Sequence, residues 1–200
     1  MSISITTEWD HRSCKETALA LQYYYELPIV LCRGERPIAA HWDDHAYSVE
    51  EIEYEFDRNP DLNVGLLLGR LSGLMEICTI NGDGMQSEYD FFELVGDMLP
   101  LTPTYTSRTK HHRLFRWDER LASLSHHGLR FKSVSIRTDC CGAYRLLPPS
   151  VTEGIRLEWR LHPGDCRGQF EELPYFAVEK LLELHRQQGA RQRTAKASLS

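Results

Sequence analysis

The feature that most constrains the fold of this 200-residue chain is a pair of short apolar runs, Val64 to Leu68 and Leu74 to Ile80, joined through a glycine turn from Gly69 to Gly73. Each run is too short for a core helix and is rich in the branched residues that favour strands. Gly82-Asp83-Gly84 then breaks the chain before a helical pattern from about Ser87 to Val95. Two strands around a tight turn, followed by a helix, point to a mixed β-sheet flanked by helices, an α+β domain rather than a helical bundle.

The flanks agree. Ser13 to Glu26 reads as a helix, with Ser13 as cap, Glu16 three residues on, and Ala18, Leu19, Leu21 and Tyr25 on its apolar side. Pro28 to Cys32 is a short buried strand closed by the turn Arg33 to Pro37. Ser48 to Arg58 repeats the capped-helix pattern with Glu51 at the third position. Further on, strands are expected at Tyr105 to Ser107, His112 to Trp117, Leu129 to Ile136, Tyr144 to Leu147 and Arg156 to Arg160, and a terminal helix at Leu173 to Gln187. Three segments result: an extension over 1–12, the domain over 13–188, and a basic tail over 189–200 that lacks apolar periodicity and is expected to be disordered.

Composition narrows the setting. Hydrophobic residues make up 42% of the chain, enough for a core without disulfides. No apolar run approaches the roughly 20 residues of a membrane span, and Met1 to His11 is polar and acidic, so no membrane contact and a cytoplasmic location are expected. Cysteines stand at 14, 32, 78, 140, 141 and 166 with no Cys-x-x-Cys pair, which favours buried thiols over a zinc site. His126, His127 and Cys166 are the residues that keep zinc in view. The net charge of -6 argues against simple electrostatic binding of nucleic acid. Its distribution is uneven: 2 basic against 12 acidic residues over 46–100, then 9 basic against 3 acidic over 101–145. The basic middle suits either a phosphate-bearing ligand or a solvated surface.

In order along the chain stand Arg36-Pro37 leading to Trp42, Asn59-Pro60-Asp61-Leu62-Asn63-Val64-Gly65-Leu66, Gly69, Ser72-Gly73-Leu74, His112-Arg113-Leu114-Phe115, Ser135-Ile136-Arg137, Tyr144 to Ser150, and Gly154 to Trp159. This succession resembles the N-terminal domain of bifunctional DNA primase/polymerases, of the archaeo-eukaryotic primase superfamily, from about Ala18 to Trp159. The resemblance implies a primase/polymerase-like fold. It also implies an ancestral chemistry, the joining of nucleotides by two-metal phosphoryl transfer.

That chemistry relies on an Asp-x-Asp pair on one strand face and a third carboxylate. By the resemblance these positions fall on Cys78, Ile80 and Ser135. Isoleucine ligates nothing, thiolate is soft, and serine is a weak neutral donor, whereas Mg2+ and Mn2+ require anionic oxygen. No metal and no cofactor are therefore expected, and the domain is expected to be a degenerate relative. It would bind a nucleoside triphosphate or single-stranded DNA, with a replication or helicase partner supplied in trans. Under the alternative of an active nucleotidyltransferase, Glu76, Asp83 and Asp139 would stand in for the lost acids with Mg2+ or Mn2+. A third reading is a ligand-free interaction module.

The resemblance also carries a phosphate-contacting histidine onto His112 and a neighbouring arginine onto Arg137. Arg108 and Lys110, in the preceding turn, are further candidates for phosphate. Tyr105, Phe115 and Trp117 are candidate stacking platforms or core residues. Leu74, Cys78 and Ile80 read as a packed apolar face, with Glu76 at its solvent end. Cys78 and His112 as a thiol and its base have no sequence support.

Overall fold

A computed structural model of the chain describes residues 12–80, 85–96, 101–124, 129–137 and 143–197, and of residues 80, 123, 137 and 188–197 the backbone only. The first half opens with α1 (Cys14–Tyr25), β1 (Ile29–Arg33), β2 (Arg36–Pro37), α2 (Val49–Arg58), β3 (Asn63–Leu67) and β4 (Leu74–Ile80). Then come α3 (Gln86–Val95), β5 (Thr104–Ser107), β6 (Lys110–Arg116) and a 3-10 turn at Glu119–Ser123. The chain closes with β7 (Leu129–Phe131), β8 (Val134–Arg137), β9 (Tyr144–Leu146), β10 (Val151–Thr152), β11 (Ile155–Arg156), β12 (Glu158–Leu161) and α4 (Tyr175–Ala197).

Both predicted capping boxes form. Ser13 accepts from the Glu16 amide and Glu16 reaches back to Ser13, and Ser48 and Glu51 do the same. Each box satisfies two of the amide groups that a helix start leaves free.

The α+β class holds, with one correction to the expected sheet. Instead of one mixed sheet there are two, of order β2-β1-β3-β9 and β12-β5-β6-β4-β8-β7, plus the hairpin β10-β11. Every strand pairing among the described residues is antiparallel. The reason lies at the glycine turn, which transfers the chain from β3 in the first sheet to β4 at the centre of the second. Gly69 and Gly73 both sit at positive φ, +94° and +65°, where glycine carries no steric penalty.

Three further readings differ. Leu129 to Ile136 is a hairpin rather than one strand, turning at Lys132, a non-glycine residue at φ +51°. The stretch expected as one strand at Arg156 to Arg160 is shared between β11 and β12. The terminal helix continues to Ala197, across the segment expected to be disordered.

Two cores clasp the larger sheet. One joins α1, α2 and the first sheet to Leu74, Tyr105, Leu114 and Trp159 on one face of the second. The other packs α3 and α4 on the opposite face, against Met75, Ile77 and Phe115. Strand alternation explains the division: Met75 and Ile77 point to the helices, and Leu74, Glu76 and Cys78 to the space between the sheets. Among the described residues, no helix is long and apolar enough to cross a membrane.

Candidate functional site

Several of the motif residues hold the frame rather than face a ligand. Buried Asn63 donates to the Gly34 and Val151 carbonyls and accepts from the Val151 amide. Ser150 accepts from the Val64 amide and donates to the Val64 carbonyl, which fixes the segment after β9 onto β3. At Gly65 any Cβ would lie 3.1 Å from the Arg145 carbonyl, so the missing side chain lets β9 approach closely. Arg145 is carried toward the second sheet by this contact.

On that sheet, register builds a polar row. Trp159 pairs with Tyr105, Tyr105 with His112, His112 with Cys78, and Cys78 with Ser135. Residues directly opposed in an antiparallel ladder share a face. Of the three positions assigned to the ancestral acids, Cys78 therefore sits beside the assigned histidine and Ser135 one strand further along the same row. Ile80 lies two residues beyond Cys78 and pairs with Lys110. Tyr105 stacks flat on His112, with centroids 4.5 Å apart and planes 4° apart.

Glu76 corrects the sequence reading. Far from being at a solvent end, it is 1% exposed and is the hub of the site. Tyr105 Oη donates to its Oε2 at 2.8 Å, and Arg145 Nε donates to its Oε1 at 2.9 Å from the facing sheet. The ion pair thus ties the two sheets together. His112 Nδ1 is 3.1 Å from Glu76 Oε2 but off line for a hydrogen bond. Among the described residues it is the buried side-chain nitrogen or oxygen left without a hydrogen-bond partner. The other ring nitrogen, Nε2, meets Ser107 Oγ at 3.0 Å.

Charge follows from this geometry. Burial would raise the Glu76 carboxyl, but the charges of His112 and Arg145, with the Tyr105 hydrogen bond, hold it well below the carboxylate range. Burial works against a charged His112, yet the Glu76 carboxylate prevails and pushes the ring up to about 9. Burial, together with the neighbouring carboxylate, puts the Tyr105 phenol well above its ordinary value, so it is a fixed donor.

Tyr105, His112 and Arg145 form part of the wall of a cavity of about 620 Å³. That volume is ordinary for a small-molecule site. Ser107, Arg108, Lys110, Tyr144 and Thr152 line it as well, together with the exposed carboxylates Glu35 and Glu153. Arg108 and Lys110, singled out from the sequence, thus join His112 at one opening, both of them exposed. Arg137 pairs through its backbone with Glu76. Much of the remaining basic middle is neutralised elsewhere: Arg113 by Glu88, Arg120 by Asp118 and Lys132 by Glu93.

Of the candidate stacking aromatics, Tyr105 is 1% exposed and committed to His112, and Phe115 is buried in the helix-side core. Trp117 is partly buried against that same core. Asp83, Asp139, His126, His127, Cys140 and Cys141 lie outside the described residues. Sequence reasoning missed Arg145 as a site residue and named Tyr105 for stacking or the core, not as a donor to Glu76. The available signal was the acid among apolar neighbours on β4, which required a buried cationic partner.

The class so defined is an α+β domain with a polar cavity between two antiparallel sheets and a polar row crossing the central strands. The chain belongs to the bifunctional DNA primase/polymerase N-terminal family, whose sequence model matches residues 19–175. No curated protein matches it.

The described residues do not fit the pair of hard divalent ions that the family implies. Such ions require several anionic oxygens. Among the described residues the row offers a single carboxylate, Glu76, where such a pair needs several.

Proposed function

We propose that the domain is a degenerate primase/polymerase relative that binds the phosphates of a nucleoside triphosphate or of a single strand without joining nucleotides. The observation that carries this reading is the row Cys78–His112–Ser135, set by strand register, in which a thiol and a hydroxyl take the places of two acids. What supports binding is the rim: Arg108 and Lys110 flank a histidine held charged, with the Arg145 guanidinium behind them. Guanidinium and ammonium groups bind phosphate as directional and point donors respectively. Glu76 cancels one of the two positive charges of Arg145 and His112, and Glu35 and Glu153 on the same lining oppose Arg108 and Lys110, so attraction rests on the placement of these two side chains rather than on net charge.

Two measurements on the full chain test the proposal. Primer extension with Mn2+ and all four deoxynucleoside triphosphates is expected to give no product. Nucleoside triphosphate is expected to bind with an affinity that falls as salt rises, and that drops about tenfold in the Arg108→Ala/Lys110→Ala double variant. Robust synthesis that disappears in Glu76→Ala would instead establish the displaced-acid enzyme. Absence of both synthesis and nucleotide or strand binding would leave an interaction module.

A further inference from the structure

We propose that Glu76, Cys78 and His112 form a site for one soft divalent cation, with Zn2+ as its representative, behind the cavity wall formed by Tyr105, His112 and Arg145. The inference goes beyond the nucleotide reading and stands whether or not the cavity binds phosphate.

The donor atoms of the three residues all lie within 4.8 Å of one another. A tetrahedron with Zn–N and Zn–O bonds of about 2.0–2.1 Å and Zn–S of about 2.3 Å has edges of roughly 3.3–3.6 Å. The separation of 3.1 Å between His112 Nδ1 and Glu76 Oε2 is already close to one such edge. The other two separations, to Cys78 Sγ, are no more than 4.8 Å and would be closed by a turn of its side chain. No backbone movement is required, because Glu76 and Cys78 are two apart on β4 and His112 is directly opposite Cys78 on β6.

A second observation points to a ligand. Nδ1 of His112, a residue 8% exposed, is buried and faces the Glu76 carboxylate without a hydrogen bond. Its charged neighbour is set off line for a hydrogen bond, and a cation seated between the two is a physical reason for that alignment. The surroundings have the organisation that metal sites use to orient their ligands. Ser107 Oγ, 3.0 Å from Nε2, can accept that N–H, so an incoming cation need displace only the Nδ1 proton, and Tyr105 and Arg145 fix the carboxylate. The cation would take the place of the proton between Nδ1 and Oε2.

The donor set selects the ion. Nitrogen, sulfur and a single carboxylate oxygen suit zinc and cobalt, and exclude the all-oxygen shells of magnesium and calcium. Three protein ligands leave a fourth position for water, the arrangement of zinc sites that take a ligand. Cys78 is 6% exposed, and its Sγ contacts the Thr79 carbonyl at 3.9 Å and lies beside the His112 ring, so its contacts already turn it toward the proposed site.

The test uses the full chain stripped of metal by chelation and titrated with Co2+, then with Zn2+ in competition. The expected result is one equivalent of Co2+, tetrahedral d–d bands, and a thiolate-to-cobalt charge-transfer absorption reversed by Zn2+ but not by excess Mg2+. Cys78→Ser and His112→Gln, each checked for native circular dichroism, are expected to weaken binding at least about tenfold. The charge-transfer absorption disappears in Cys78→Ser, and Cys166→Ser leaves the spectrum unchanged. No stoichiometric cobalt binding overturns the proposal, as does a charge-transfer band that survives in Cys78→Ser. Should one variant fail to fold, the spectrum of the other decides. Nucleotide affinity of the metal-free chain is measured separately, so loss of that binding with the cobalt signal intact removes only the phosphate reading.

Discussion

The two faces of the larger sheet each bury a glutamate against an arginine, and they use it in opposite ways. On the helix side, Glu88 comes from α3 and meets three groups of the sheet: Thr79 at 2.8 Å, His111 at 3.1 Å and Arg113 at 2.5 Å. Arg113 also lies 4.2 Å over the Phe91 ring and donates to Thr79. This network is closed, and it staples a helix to a sheet. On the cavity side, Glu76 comes from the sheet itself, and its arginine comes from another sheet. There the network is open, with a buried nitrogen unspent and a cavity in front of it. One pair anchors an element, and the other keeps polar atoms poised at an opening. Buried polar groups that are fully paired define structure, whereas incompletely paired ones mark places where something else binds.

The sharpest way to break this comparison is to remove Glu76. Its side chain is 1% exposed, so Glu76→Ala leaves Arg145 and the His112 ring without their counter-charge inside the protein. Removing one partner of a buried pair costs about 3 kcal/mol or more. Urea unfolding is expected to show that loss as a lower midpoint at unchanged slope. Replacing the pair together, as Glu76→Leu/Arg145→Met, is expected to recover most of it, because no charge is then left uncompensated. A double variant as unstable as Glu76→Ala would mean that the charges themselves, rather than their balance, hold the sheets together.

The sequence made the frame legible and left the site half-read, and the reasons differ by distance along the chain. Capping boxes at Ser13 and Ser48 are local, and so is the helix at 86–95, and both survive intact. The ordered family motifs located Cys78, His112 and Ser135, which strand register then placed side by side. The burial of Glu76 was not legible, because its partners lie 29, 36 and 69 residues away on other strands. The hairpin at Lys132 escaped notice because its turn uses no glycine. The split into two sheets escaped because a turn sequence fixes local geometry and not the strand's next neighbour.

Acid separates the two sides a second time. His162, at the end of β12, packs edge-on to Trp159 on the cavity side. Burial, aided by nearby Arg12, pushes its ring down to about 3. An unfolded histidine takes its proton near pH 6.5, and the folded one does so only near 3, so stability is lost as pH falls through that window. The helix side responds later: Glu88 is held at about 2, so its contribution fades only below about 4.5. Between pH 6.5 and 4.5, His162→Asn is expected to flatten the fall in stability by up to about 1.4 kcal/mol per pH unit. Denaturation midpoints across that range provide the check. A variant curve parallel to the parent's would place the acid response elsewhere.

The smallest effect is expected at the closed network. Glu88→Gln keeps one oxygen but puts an NH2 where the other stood, so either Arg113 or the Thr79–His111 pair loses its acceptor along with the charge, at a side chain 16% exposed where water shares the load. The expected loss is about 1 kcal/mol, against about three times that for emptying the Glu76 position. It should also be local. Amide exchange is expected to quicken across 86–95 while the amides of β5 and β6 keep their protection. Quickened exchange at Tyr105 and His112 as well would show that the two faces are coupled through the strands, and that the anchor on one side sets the opening on the other.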